Sequence, residues 1–165
     1  MAEVKGDNKN NTLEGTEFDD DILGKNGNDK LNGLDGNDYL VGGKGKDKLT
    51  GGEGEDAFVF NEKLGPKNVD RIVDLDPSQD VLQLSTKYFK GMGFGYVQSK
   101  YVAFGNKAKD KNDHIIISEK KETFYYDRDG EGGKDQIAFA HVDSGIIHNL
   151  SPLDPFTWIL LLPSL

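Results

Sequence analysis

An apolar residue recurs at every ninth position, at Leu13, Ile22, Leu31, Leu40, Leu49 and Phe58, and the stretches between are mostly glycine, polar or acidic. The chain from Gly6 to Val59 divides into GDNKNNTLE, GTEFDDDIL, GKNGNDKLN, GLDGNDYLV, GGKGKDKLT and GGEGEDAFV. In each unit the first six positions read as a turn and the last three as a short strand carrying one inward side chain. The apolar eighth positions then stack as a narrow core, as in a solenoid. A flexible acidic linker would share the composition but not the phase or the apolar column.

The sixth position is Asn11, Asp20, Asp29, Asp38, Asp47 and Asp56. Two units per coil place every second turn on the same edge, stacked at roughly 4.8 Å. Asp20, Asp38 and Asp56 line one edge, and Asn11, Asp29 and Asp47 the other. At about 5 Å and an effective dielectric of about 20, each like-charge pair costs on the order of 3 kcal/mol. A hard cation between the turns reverses the sign, taking carboxylate oxygens and the carbonyls of the glycine-rich loops, at Gly24, Gly27, Gly33, Gly36, Gly42, Gly43 and Gly45. Calcium suits an irregular all-oxygen cage better than magnesium does. Zinc would need a histidine or cysteine column, and there is none. Three same-edge pairs follow: Asp20 with Asp38, Asp38 with Asp56, and Asp29 with Asp47. A poorer fourth pairs Asn11 with Asp29.

GGKGKDKLT and GGEGEDAFV resemble the RTX nonapeptide, GGxGxD followed by an apolar residue between two variable ones. The resemblance implies an all-β fold, a right-handed parallel β-roll with calcium between turns, closed by a C-terminal β-rich cap. The first two units depart from it, with Lys9 and Phe18 in place of the fourth-position glycine and Asn11 in place of an aspartate. The expected layout is a roll over 6–59 and a cap over 60–165, forming one continuous unit.

Composition agrees with bound cations. The net charge of the 165 residues is -9, and residues 1–60 hold 14 acidic against 7 basic side chains. Such a field argues against nucleic acid and anionic membrane surfaces as partners. Without cysteine there is no disulfide framework and no thiolate site. The N-terminus lacks an apolar run that could serve as a secretory signal, and no stretch reaches transmembrane length.

Beyond Ala57 the glycine rhythm stops. FVF, RIVDL and VLQLS read as strands between Gly-Pro and Asp-Pro turns, and HIIISEKKETFYYD as a hairpin. The acidic group Asp127, Asp129, Glu131 and Asp135 is either another cation site or an Asp-Gly turn between strands. The twelfth position of an EF-hand loop starting at Asp127 would be Ala138. The aromatic run Tyr88, Phe89, Phe94, Tyr96 and Tyr101 either fills the cap core or offers a polysaccharide-binding face. Strand order here resembles the C-terminal domain of haemolysin-type calcium-binding proteins and serralysin-like proteases. That resemblance implies a bacterial secreted protein, exported by a type I ABC transporter that reads an uncleaved C-terminal signal. Asp154 to Ile159 is similar to the family's usual ending. The extra LLLPSL is part of that signal, a packed strand, or an addition after the family's normal stop.

Catalytic motifs are missing from the sequence: no HExxH, no GxSxG elbow, no thiol nucleophile, and three scattered histidines, His114, His141 and His148. The expected function is a calcium-binding module that folds on extracellular calcium and supports secretion and stability. The alternatives are an extracellular module that binds polysaccharide or another surface and, further off, a secreted hydrolase.

Overall fold

Tripeptides at positions seven to nine of the repeat alternate between two sheets. The computed structural model describes residues 1–130, 136–143, 147 and 158–163. Strands β1 (Glu3–Lys5), β3 (Asp21–Leu23), β5 (Tyr39–Val41) and β7 (Ala57–Phe60) pair in parallel in the first sheet, and β2 (Thr12–Glu14), β4 (Lys30–Asp35) and β6 (Lys48–Glu53) in the second. Register follows the 18-residue coil: Ile22 sits beside Leu40 and Leu40 beside Phe58, while Leu13 sits beside Leu31 and Leu31 beside Leu49. The fold is therefore the two-units-per-coil β-roll expected from the repeat. Ile22, Leu31, Leu40, Leu49 and Phe58 are fully buried, whereas Leu13, in the first coil, is only partly covered.

Both sheets run on past residue 60. Strand β8 (Asp70–Ile72) pairs in parallel with β6, and β9 (Val81–Ser85) with β7. Ile72 and Leu82 extend the two apolar columns and are fully buried.

The strand direction then changes. After β10 (Gly95–Tyr96) and β11 (Val102–Phe104), strands β12 (Ile115–Ser118), β13 (Thr123–Tyr126) and β14 (Ile137–Val142) form an antiparallel meander joined to the second sheet by a parallel β14–β8 pair. The turn between β12 and β13 is a single 3-10 turn, Glu119–Lys121, closed by Glu122 in a left-handed conformation. Strand β15 (Ile159–Leu162) lies between β9, to which it is parallel, and β10, to which it is antiparallel. Of the three readings of the terminal LLLPSL, residues Leu160–Leu162 are thus a packed strand. Rings fill the cap: Phe89 packs edge-on against Tyr126 and Phe139, and Phe124 lies between Phe139 and Trp158. Aromatic pairs of this kind add about 0.5–1.5 kcal/mol each beyond their buried area. The roll proper has only two apolar side chains per coil, so its stability has to come largely from the turns.

Candidate metal centre

Every sixth-position aspartate is buried, with 2% or less of its surface exposed from Asp20 through Asp56. Backbone hydrogen bonds explain how an acidic residue comes to be inside. The N–H of Asp20 donates to Oδ1 of Asp38 at 2.8 Å, that of Asp38 to Oδ1 of Asp56 at 2.9 Å, and that of Asp29 to Oδ1 of Asp47 at 2.7 Å. Asn11 donates in the same way to Asp29 at 2.7 Å. One oxygen of each carboxylate thus satisfies a main-chain donor one coil away, in the alternating-edge arrangement. Main-chain carbonyls of the same residues are used by the ladder: Asp20 O accepts from Tyr39 N–H and Asp38 O from Ala57 N–H, each at 2.8 Å.

The second oxygens differ from turn to turn. Oδ2 of Asp29, Asp38, Asp47 and Asp56 is buried without a hydrogen-bond partner. An unpaired buried acceptor costs about 1–3 kcal/mol, and more when charged. Asp20 is different: its Oδ2 accepts from the N–H of Thr16 at 2.6 Å and its hydroxyl at 2.8 Å. Asn11 is also satisfied, since its Oδ1 accepts from Asp7 N–H at 2.8 Å. The two irregular units have local partners where the regular ones have a deficit.

Glycine at position one leaves the space that these oxygens face. A Cβ on Gly24 would lie 2.6 Å from Asp29 Oδ2 and 2.5 Å from the Gly42 carbonyl oxygen. At Gly33 the same two roles fall to Asp38 Oδ2 and the carbonyl of Gly51, both too close for a methyl group. A carboxylate oxygen of one coil and a glycine carbonyl of the next therefore converge on one cradle. This donor set is all oxygen, irregular and anionic, which fits a calcium ion. Among the described residues no three His, Asp or Glu side chains converge, so main-chain oxygens would have to complete any coordination sphere. The carbonyls of Gly33 and Gly42 border such cradles, Gly24 O faces the space beside Gly6, and Gly51, absent from the sequence expectation, joins them. Gly27 and Gly36 carbonyls instead abut Gly45 and Gly54, the fourth-position glycines of the next coil. Those two take φ of +144° and +133°, and Gly43 takes +93° with the Lys25 carbonyl against it, so these positions need glycine for the bend and the close stacking.

Two further aspartates extend the columns. Asp47 N–H donates to Oδ1 of Asp70 and Asp56 N–H to Oδ1 of Asp80, both at 3.0 Å, over separations of 23 and 24 residues where the repeat has 18. Asp70 and Asp80 are 3% and 5% exposed. The sequence reading missed them, although Asp70-Arg-Ile72 and Asp80-Val-Leu82 keep the sixth-to-eighth-position signature. A second ladder was also missed: fifth-position side chains accept N–H groups one coil away, Asn28 from Lys46 at 2.9 Å and Asn37 from Glu55 at 2.8 Å.

Charge is expensive in this column. Burial pushes Asp47 and Asp80 up to about 6 and Asp56 up to about 7, with neighbouring carboxylates adding to the rise. Burial also raises Asp29, Asp38 and Asp70, whereas hydrogen bonds from the Ala2 N–H and from Thr16 lower Asp20.

The remaining candidates lie elsewhere. Asp127 Oδ1 accepts from the N–H groups of Asp129 at 3.3 Å and Gly130 at 3.2 Å, the geometry of an Asp-Gly turn. Glu131, Asp135, His148 and Asp154 lie outside the described residues. His114 holds the Asp127 carbonyl through Nδ1 at 2.8 Å, and His141 meets the Thr123 hydroxyl at 2.7 Å, so the two serve different turns.

Comparison with known proteins bears on the same residues. A family model described as RTX calcium-binding nonapeptide repeat (4 copies) matches residues 5–40 and 23–58. Among curated proteins none matches the chain. The solution structure of the AlgE6R3 subunit from the Azotobacter vinelandii mannuronan C5-epimerase is similar at 33% identity and a TM-score of 0.64, over 94% of this chain and 80% of that one. The AlgE6R2 subunit of the same enzyme is similar at 27% identity and a TM-score of 0.60, over 98% and 94%. The repeat phase, the buried aspartate columns and these likenesses agree, and the chain belongs to the RTX calcium-binding nonapeptide repeat family as a calcium-binding β-roll module.

Proposed function

We propose that calcium occupies the turns at four places, between Asp29 and Asp47, Asp38 and Asp56, Asp47 and Asp70, and Asp56 and Asp80, and that the chain folds as these fill. The observation that carries this reading is the set of four buried Oδ2 atoms without partners, each above a position-one glycine. The Asp20–Asp38 turn is a poorer site, because Thr16 already serves the Asp20 carboxylate. Binding free energy then becomes folding free energy. Extracellular calcium modules work at roughly 10⁻⁴ to 10⁻³ M, so the chain stays loose inside a cell and winds up outside. This suits a module of an exported protein carried by a type I ABC transporter, as the family-like C-terminal order suggests. Far-ultraviolet circular dichroism tests the core of the proposal: strand content should be low in chelator and rise with millimolar calcium. Equal strand content in both would overturn it.

A second reading, contact with extracellular polysaccharide, is supported by the likeness to two modules of a mannuronan epimerase. Of the aromatic run, Phe89 belongs to the core, while Phe94 and Tyr96 are 73% and 59% exposed. A glycan array probed with the calcium-loaded protein tests this second reading. Signal confined to background would remove it.

A further inference from the structure

On a chain of net charge -9, one pocket has the opposite sign. Lys63, Lys87, Lys90 and Arg128 surround a cavity of about 310 Å³, and no carboxylate lines it among the described residues. The two ion pairs among the described residues join Lys5 to Glu3 and Arg71 to Asp143, so all four pocket cations are unpaired there.

Topology explains why the sign reverses at this point. Strands β7 and β9 are parallel neighbours, so the turns that follow them stack on one edge, the edge of Asp29, Asp47 and Asp70. The turn after β7 still leads to an aspartate, Asp70. The turn after β9 has Lys87 and Lys90 instead. The acidic column ends with Asp70, and the next turn on that edge carries cations. Tyr126 fixes that turn from below, its hydroxyl accepting from Lys90 N–H at 2.8 Å and donating to Lys90 O at 3.0 Å.

The rest of the lining is apolar. Leu64, Tyr88 and Ile137 supply half-buried surface, and Lys87 Nζ sits 5.1 Å from the centre of the Tyr88 ring. Cations for an anionic group, a ring and aliphatic walls for a C–H face, and a volume near the small end of ligand pockets describe one chemical class. We propose that this pocket binds the carboxylate-bearing ring of an acidic saccharide. The proposal rests on the second reading above and gives it a location.

The test measures binding of a short oligomannuronate to the calcium-loaded full chain by calorimetry, in wild type, in Lys87→Gln/Arg128→Gln, and in Lys107→Gln/Lys109→Gln as a control for general loss of positive charge. Circular dichroism and calcium stoichiometry establish that each variant is folded. Loss of two contacts from solvent-exposed side chains, each of ordinary hydrogen-bond strength, should weaken binding roughly ten- to a hundredfold in the pocket variant, with the control unchanged. A neutral oligosaccharide of equal length should neither bind nor compete. Wild-type affinity in the pocket variant would overturn the pocket and leave the second reading standing. No oligomannuronate binding by the wild type would overturn both. Displacement by an equal concentration of inorganic phosphate would overturn the saccharide assignment in favour of a simple anion site.

Discussion

Asp38 donates its main-chain N–H to Oδ1 of Asp56 at 2.9 Å, while the Oδ2 atoms of both lie buried and unpartnered. Asp38 is also an acceptor, for the N–H of Asp20, so it serves the coils on both sides. Asp20 has Thr16 for its Oδ2 and accepts from Ala2 near the chain start. Asp38→Ala should therefore lose more calcium and more stability than Asp20→Ala. Stranding the Asp20 N–H alone costs about 1–3 kcal/mol. Native mass spectrometry for ion count, with urea unfolding in saturating calcium, makes the comparison, and equal losses would contradict the stacked register.

A pH dependence follows from the buried carboxylates. Asp47, Asp56 and Asp80 have folded, calcium-free values of about 6 to 7, above the unfolded range near 4. Between those limits the folded chain binds more protons than the unfolded one, so calcium-free stability rises on acidification and falls as pH climbs through 6 to 7. Calcium needs the ionised form, so its apparent affinity should move the other way and weaken below pH 7. In chelator, strand content should be higher at pH 5 than at pH 7.5. A flat profile would count against burial as the cause.

The columns also predict calcium sites outside the recognisable repeats. Asp70→Asn should remove one ion. Asp80→Asn should remove one by loosening the turn over Asp56, since both Asp80 oxygens already accept main-chain N–H groups, of Asp56 at 3.0 Å and Asp76 at 2.7 Å. Asp76→Asn should remove none, because Asp76 binds Ser78 within its own turn at 2.6 and 2.9 Å. Calcium titration with an ion count separates the three variants, and retention of the full count in Asp80→Asn would confine the metal column to residues 5–58.

Backbone geometry gives a pair of opposite outcomes. Lys25 is exposed and has a φ of +77°, as Leu34 has +84° one unit on, at the position where the last two units carry glycine. Lys25→Gly should stabilise the roll by about 0.5–1 kcal/mol, the left-handed cost of an L residue less the entropy glycine loses on folding. Gly33→Ala would drive a methyl into Asp38 Oδ2 and the Gly51 carbonyl. It should lose the ion there and about 2 kcal/mol or more in thermal or urea unfolding. A neutral Gly33→Ala would refute the cradle.

Much of this was legible because one constraint repeats. Leu31 beside Leu49 and Asp20 beside Asp38 follow from period and coil length alone. Asp70 and Asp80 escaped notice because their turns lack most of the glycines and carry insertions, so the spacing fails while the contact persists. The aspartate-to-amide bond was hidden too, since it depends on how one coil is displaced over the next. In the cap, β15 joins β9 from 74 or more residues away, and no local pattern in LLL fixes such a partner. Positive φ at Gly91, Gly93 and Gly95 breaks strand alternation there, so no period links Phe89, which is buried, to Phe94, which is exposed.

The two ends of the described roll are built differently. Strands β1 and β2 are the outermost members of the two sheets, while the other end is sealed by the aromatic cap. Mechanical load applied at the N-terminus would therefore meet the weakest coil first and peel the molecule in steps. Each step would release 18 residues, about 60 Å of extended chain, and from the second coil onward would free the two ions beneath it. A pull from the cap side would have to break the sealed core before any coil could yield. The same protein should thus be compliant in one direction and stiff in the other, with calcium setting the force of each step.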